Sequence, residues 1–223
     1  MASAEYPKIN SVFQRDGHGR FTDVYACPEF EYLAGLPWAW TEKVDGINIR
    51  LHLPGDGKRD VWATSAYQLV TGRTDNAQIP PKLLAACAGI LERVLVTDVF
   101  APDADVVLYG EGYGAGIQKG GQYRPDPDFV LFDVRVGDWW LTRPNVEDVA
   151  AKLQLDVVPV VATATLVEAV ESMREMAAGS RVMFESAWQG ARPEGIVGRP
   201  AVDLWNRRGD RIITKLKFRD FRR

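Results

Sequence analysis

The residues Trp38–Leu53, WAWTEKVDGINIRLHL, constrain this chain more than any other stretch. They read as two extended segments separated by the turn pair Asp45-Gly46, with Ile47, Ile49 and Leu51 alternating after the turn. A lysine, Lys43, closes the first strand just before that turn. Strand and helix signals alternate along the rest of the chain. VWATSAYQ (61–68) reads as a strand, and Pro80-Pro81 opens a helix through LLAACAGILERVL, because proline is tolerated in a first turn. VVLYGEGYG reads as a buried strand running into the glycine-rich loop GYGAGIQKGGQY, whose permissive backbone lets a ligand approach closely. FVLFDVRVGDWWL reads as a hairpin turning at Gly137-Asp138, and a short helix is expected after Pro144. Thr165 and Glu168 form a capping box before a helix with Leu166, Val170 and Met173 on one face. EGIVGR and RIITKLKF close the chain as strands. The expected class is α+β, with mixed or antiparallel sheets and flanking helices.

With 223 residues, 46% of them hydrophobic, the chain suits one compact domain or at most two small ones. We read 1–223 as a single domain. No apolar run is long enough for a membrane span, and MASAEYPKIN lacks the basic-then-apolar pattern of a secretory signal, so a cytoplasmic protein without a membrane partner is expected. Two cysteines without CxxC spacing and two histidines argue against a zinc centre and for reduced, structural thiols. Net charge is 27 − 30 = −3, which alone argues against a nucleic-acid partner. The distribution differs from the mean: from Asn206 onward eight basic residues face two acidic ones, a local +6 that leaves the remainder near −9. That end is either a solvated basic terminus or a phosphate-facing strand.

Lys43-Val44-Asp45-Gly46 has the form K-x-D-G, which alone describes many surface lysines beside turns. Its weight comes from the segments that follow in order. Glu42 to Asn48, Gly72-Arg73, Tyr109-Gly110-Glu111, FVLFD (Phe129 to Asp133), Glu194 to Val197 and Lys215-Leu216-Lys217 resemble the successive motifs of the covalent nucleotidyltransferases: RNA ligases, DNA ligases and capping enzymes. Within that superfamily the chain is most similar to ATP-dependent RNA ligases, especially the phage-like branch that seals nicked RNA. Asn48 stands where DNA ligases and capping enzymes put arginine, and Gly110-Glu111-Gly112-Tyr113-Gly114 is similar to the G-E-x-Y-G form of that branch.

The resemblance implies an adenylyltransferase domain of the ATP-grasp-like nucleotidyltransferase type without an OB domain. It implies ATP and Mg²⁺ or Mn²⁺ as cofactors, and RNA 5′-phosphate and 3′-hydroxyl ends as partners. Lys43 would be the nucleophile, with Lys215 and Lys217 beside the α-phosphate. Glu111 and Glu194 would hold the metal, Glu111 also a ribose hydroxyl. Phe132 would stack the purine, Glu42 or its backbone would meet the adenine edge, and Arg73 and Asn48 would contact ribose or a 5′-phosphate. Asp45 is ambiguous, because a turn favours aspartate in any case.

The chemistry is coherent with these residue types. A lysine amine attacks only when uncharged, against an ordinary pKa near 10.4, so desolvation and neighbouring cations must favour the neutral form. Phosphoryl transfer is mostly positioning and charge neutralisation, and lysines two apart on a strand project to one face. Mg²⁺ takes a few carboxylates with phosphate oxygens and waters. Phe132 also fits a plain core strand, and Trp139 and Trp140 fit hairpin packing better than base stacking. The competing readings are a DNA ligase, a GTP-dependent capping-type enzyme, and a nucleotide- or RNA-binding module without turnover. Because few residues follow Lys217, nick recognition is expected to draw on an accessory protein or domain partner, helped by the basic end.

Overall fold

The computed structural model describes residues 5–55, 65–179, 186–188 and 191–221. In chain order the strands and helices are β1 (Asn10–Ser11), β2 (Phe13–Arg15), β3 (Phe21–Tyr25), α1 (Pro28–Tyr32), β4 (Pro37–Lys43) and β5 (Ile47–Leu53). Then follow β6 (Val70–Gly72), α2 (Pro81–Leu95), β7 (Val106–Tyr113), β8 (Asp128–Val136), β9 (Trp139–Trp140) and α3 (Arg143–Leu153). The last are β10 (Val160–Thr165), α4 (Leu166–Ala177), β11 (Gly195–Pro200) and β12 (Thr214–Lys217). The α+β class is as expected, and no described helix is long and apolar enough to cross a membrane.

The residues divide into two compact units. The first comprises Met1–Pro7 and Asp45–Val158, the second Lys8–Val44 and Pro159–Arg223. The division falls inside the K-x-D-G motif, between Val44 and Asp45.

In the first unit a five-stranded sheet has the order β6-β5-β7-β8-β9, all antiparallel. Period-two alternation sends Ile49, Leu51 and Leu53 of β5 and Val106 and Leu108 of β7 to one face, where they form a core with Leu83, Leu91, Val146 and Val149 of α2 and α3. Pro81 lies in the first turn of α2 as predicted. Cys87 is buried in that core, which pushes its thiol up to about 12, and both cysteines are free. The expected hairpin at Gly137-Asp138 forms, with Gly137 at φ +57.

In the second unit the sheet order is β1-β12-β11-β4-β10, antiparallel except for the β1–β12 pair. Trp38 and Trp40 of β4 stack 5.9 Å apart on the core face, against Leu166, Val170 and Met173 of α4 and Ile196 and Leu216 of the neighbouring strands. The capping box at α4 is present with both hydrogen bonds, Glu168 N–H to Thr165 Oγ1 and Thr165 N–H to Glu168 Oε2.

Three elements depart from expectation. Of the strand predicted at 61–68, residues 61–64 lie outside the described residues, and Ala66–Leu69 is a 3-10 turn leading into β6. The strand β10 and the hairpin β2–β3 were not anticipated. In that hairpin Asp16 Oδ1 accepts hydrogen bonds from the backbone N–H groups of His18 and Arg20, a turn signal that Asp16-Gly17 carried in the sequence.

Candidate active site

In the second unit, register places the lysines. On β4 the side chains of Trp38, Trp40 and Glu42 point to the buried face, so Thr41 and Lys43 lie on the other. Gly195 of β11 pairs with Lys43 on one side and with Lys217 of β12 on the other. Directly opposed residues of antiparallel strands share a face. Lys43 and Lys217 therefore stand on one rung, separated by a residue with no side chain. One rung along the same face, Thr41, Val197 and Lys215 are paired in the same way. Gly195 has to be glycine here, since a Cβ would overlap the Leu216 carbonyl oxygen and crowd Lys217 Cα.

Glu194 binds the rung together. Its backbone N–H donates to the Lys43 carbonyl oxygen at 3.0 Å, and its carbonyl oxygen accepts from the N–H of Phe218 at 3.1 Å. Its carboxylate is shared: Lys43 Nζ donates to Oε2 and Lys217 Nζ to Oε1. All three side chains are largely buried, 21% exposed for Lys43, 16% for Glu194 and 15% for Lys217. Burial works to raise the Glu194 pKa, but the charges and hydrogen bonds of the two lysines outweigh it and hold the carboxyl below its ordinary value.

Glu42 is committed elsewhere. It is 2% exposed, with Oε1 accepting from Ser186 Oγ at 2.7 Å and Oε2 from the Ala187 N–H at 3.0 Å. Its pKa is raised, because desolvation outweighs those two hydrogen bonds. Each carboxylate oxygen thus has one protein donor, and the Glu42 N–H donates to the Pro159 carbonyl oxygen at 3.1 Å.

In the first unit, Asn48 of β5 pairs with Glu111 of β7, so these two expected ligand residues share a face opposite the core. Both are partly buried, and Asn48 Oδ1 is shielded from water without a hydrogen-bond partner among the described residues. A buried acceptor left unpaired is costly, and a bound ligand is one way to satisfy it. Gly46 packs against the Gly112 carbonyl oxygen and Glu111 Cγ, leaving no room for a Cβ. Phe132 sits on β8 beside a register shift and meets Tyr6 edge-on, with ring centroids 5.0 Å apart. Arg73 is exposed, just after β6.

Sequence reasoning missed Arg50. It is buried, its Nε donating to the Gly72 carbonyl oxygen at 2.8 Å and its Nη2 to Asp75 Oδ1 at 2.7 Å. These bonds hold both ends of the segment that carries Arg73. The signal was an arginine on the alternating polar face of β5, two residues after Asn48.

Hard oxygen donors of this kind suit a divalent ion that takes one or two carboxylates together with phosphate oxygens and water. Among the described residues no group of three or more His, Cys, Asp or Glu is gathered as a metal cage.

A family model described as RNA ligase matches residues 36–217, most of the chain. The chain belongs to the RNA ligase family. Among solved structures it is similar to an RNA ligase of Naegleria gruberi. A ligand-free variant of that enzyme and a variant with ATP and manganese each match with TM-score 0.61 and 18% identity, over 96% of this chain and 57% of theirs. The form with pyrophosphate matches with TM-score 0.59 and 18% identity, over 95% of this chain and 61% of that one. The chain thus spans a little under two thirds of the length of these neighbours. None of the curated proteins matches.

Proposed function

We propose that residues 1–223 act as one ATP-dependent nucleotidyltransferase domain that joins RNA ends. The Lys43 ammonium gives its proton to water, the neutral Nζ attacks the α-phosphorus of ATP, the bond from that phosphorus to the bridging oxygen breaks so that pyrophosphate leaves, and the nitrogen's second proton follows to water. The AMP then passes from Lys43 to an RNA 5′-phosphate, and a 3′-hydroxyl displaces it. The observation that carries this reading is the rung Lys43–Gly195–Lys217, with its two amines bridged by one carboxylate. A nucleophile flanked by a second cation, with a third, Lys215, one rung away, is the arrangement that neutralises developing phosphoryl charge.

Glu194 is assigned a positioning role: its carboxylate accepts hydrogen bonds from both amines and fixes Lys43 on the rung until phosphate replaces it. Glu111 and Asn48 are assigned to ribose hydroxyls, Phe132 to the purine and Arg73 to a 5′-phosphate. Glu111 is assigned as a carboxylate ligand of a divalent ion, and so is Glu194; such an ion would supply further charge neutralisation at the triphosphate. The Naegleria neighbours, solved with ATP, AMP or pyrophosphate, lend support to the nucleotide chemistry.

The test is incubation with α-labelled ATP and Mg²⁺ or Mn²⁺, followed by mass spectrometry. One AMP per chain on Lys43 is expected, with none on Lys43→Ala. ATP binding without any adduct, under either metal, would favour a binding module and overturn the proposal. Labelled GTP in place of ATP tests for a capping-type enzyme. Nicked RNA against nicked DNA separates RNA ligase from DNA ligase.

A further inference from the structure

Between β11 and β12 the chain makes a second, smaller hairpin that the proposed chemistry does not use. Trp205 pairs with Arg211 as an antiparallel bridge, and Ile212 N–H donates to the Leu204 carbonyl oxygen at 2.8 Å. The tip is rigidly built. Asn206 Oδ1 accepts from the N–H groups of Arg208 and Asp210, both at 2.9 Å, while its Nδ2 donates to Asp210 Oδ2 at 3.1 Å. Gly209 closes the turn at φ +82, a backbone angle that L side chains adopt at a cost.

This ordered tip displays an unusual set of side chains. Trp205 is 53% exposed, and Arg207 and Arg208 are exposed and make no ion pair among the described residues. Asp210, the one acidic residue from Trp205 to Arg211, is bound to Asn206, so the tip is net positive in a chain of net charge −3. Arg211 is also only four residues before Lys215, a reach of at most about 14 Å. That is the length of a few nucleotides of a duplex strand.

We propose that the Trp205–Arg211 tip is an RNA-docking element: Arg207 and Arg208 hold backbone phosphates and Trp205 stacks on a base a few nucleotides from the end being joined. This rests on the RNA-ligase reading above and deepens it. An aromatic face beside guanidinium groups is the combination that recognises nucleic acid without regard to sequence. Because the tip is already ordered by Asn206, little conformational freedom is lost on docking.

The experiment uses the full chain, a fluorescein-labelled nicked RNA duplex, and two readouts: RNA affinity across salt concentrations, and adduct formation with ATP alone. Replacing both arginines, Arg207→Ser with Arg208→Ser, is expected to reduce the slope of log affinity against log salt by about 1.5 to 2. Trp205→Ala is expected to weaken binding about five- to a hundredfold with the slope unchanged, and Trp205→Phe to restore most of it. All three variants should form the lysine adduct at the parental rate. RNA affinity and salt slope within twofold of the parent would overturn the docking role, as would an adduct lost in parallel with affinity, which would assign the tip to folding. A parent that forms the adduct but binds no RNA would also overturn it while leaving the nucleotide chemistry standing. A parent that forms no adduct defeats the ligase reading instead.

Discussion

Glu194 is one carboxylate between two ammonium groups, and its protonation should be visible in the stability of the molecule. Its folded pKa lies below the ordinary 4.5, so its contribution is fully present above that value and is lost as pH falls through the lower, folded one. Glu42 has the opposite sign, since its raised pKa contributes stability at low pH that is lost as pH rises. Comparison of variants isolates Glu194: the parent should lose Tm more steeply than Glu194→Gln on titration from pH 5 to 3. Parallel curves would mean that the ion pairs contribute nothing. At pH 7, Glu194→Ala leaves Lys43 and Lys217 facing each other without a counter-ion, and a cost of about 2–4 kcal/mol is expected from denaturant melts. Lys43→Ala should be milder, because Glu194 keeps Lys217 as its partner. The lysines were legible in the sequence through the family resemblance, because K-x-D-G and Lys215-Leu216-Lys217 stand in order with the motifs between them. The commitment of Glu42 was not, since its partner Ser186 lies 144 residues away and nothing local to either residue announces it.

At the level of elements, the three central strands β4, β11 and β12 form the platform on which the lysines stand, and Gly195 is where its tolerance is smallest. A methyl group there has to displace the β12 backbone that carries Lys217. Gly195→Ala is therefore expected to cost roughly 1–3 kcal/mol of stability and to suppress adduct formation out of proportion, because the rung is the part that moves. A control belongs at the far end of the same unit. Thr165→Ala removes the capping box of α4 and should cost about 0.5–2 kcal/mol with adduct formation intact. If both variants lose adduct in proportion to Tm, the rung has no special sensitivity. The strands β4, β5, β7 and β8 were readable because they alternate or form unbroken apolar runs, as were α2 and α4 from periodicity and caps. β10 was not, because VVATAT lies at the sheet edge without a clean alternation, and it becomes a strand only by pairing with Pro37–Thr41, more than a hundred residues earlier. The 3-10 turn at Ala66–Leu69 was misread for a related reason: a short apolar run specifies burial without specifying which backbone achieves it.

For the whole molecule, the two units each contain their own apolar core and their own sheet, and the fold is expected to stand without a bound ion. Under the proposed assignment, Glu111 and Glu194 bind a metal through substrate phosphates rather than through a cage of protein ligands. The consequences for folding and for chemistry then separate. Removing divalent ions with EDTA should leave the Tm of the nucleotide-free protein within about 1 °C, since an ion held mainly by phosphate is absent before the nucleotide arrives. The same EDTA should abolish the lysine adduct. Adding ATP with Mg²⁺ to Lys43→Ala, which is expected to bind without reacting, should stabilise it by about 2.7 kcal/mol at a hundredfold excess over Kd. In a chain of this size that is roughly 5–10 °C in Tm. Scanning calorimetry of the parent and of Lys43→Ala, with and without EDTA and nucleotide, reads all of these quantities. A drop of several degrees on EDTA alone would mean that an ion is built into the resting fold, and the assignment of Glu111 and Glu194 to a substrate-borne metal would then have to be abandoned.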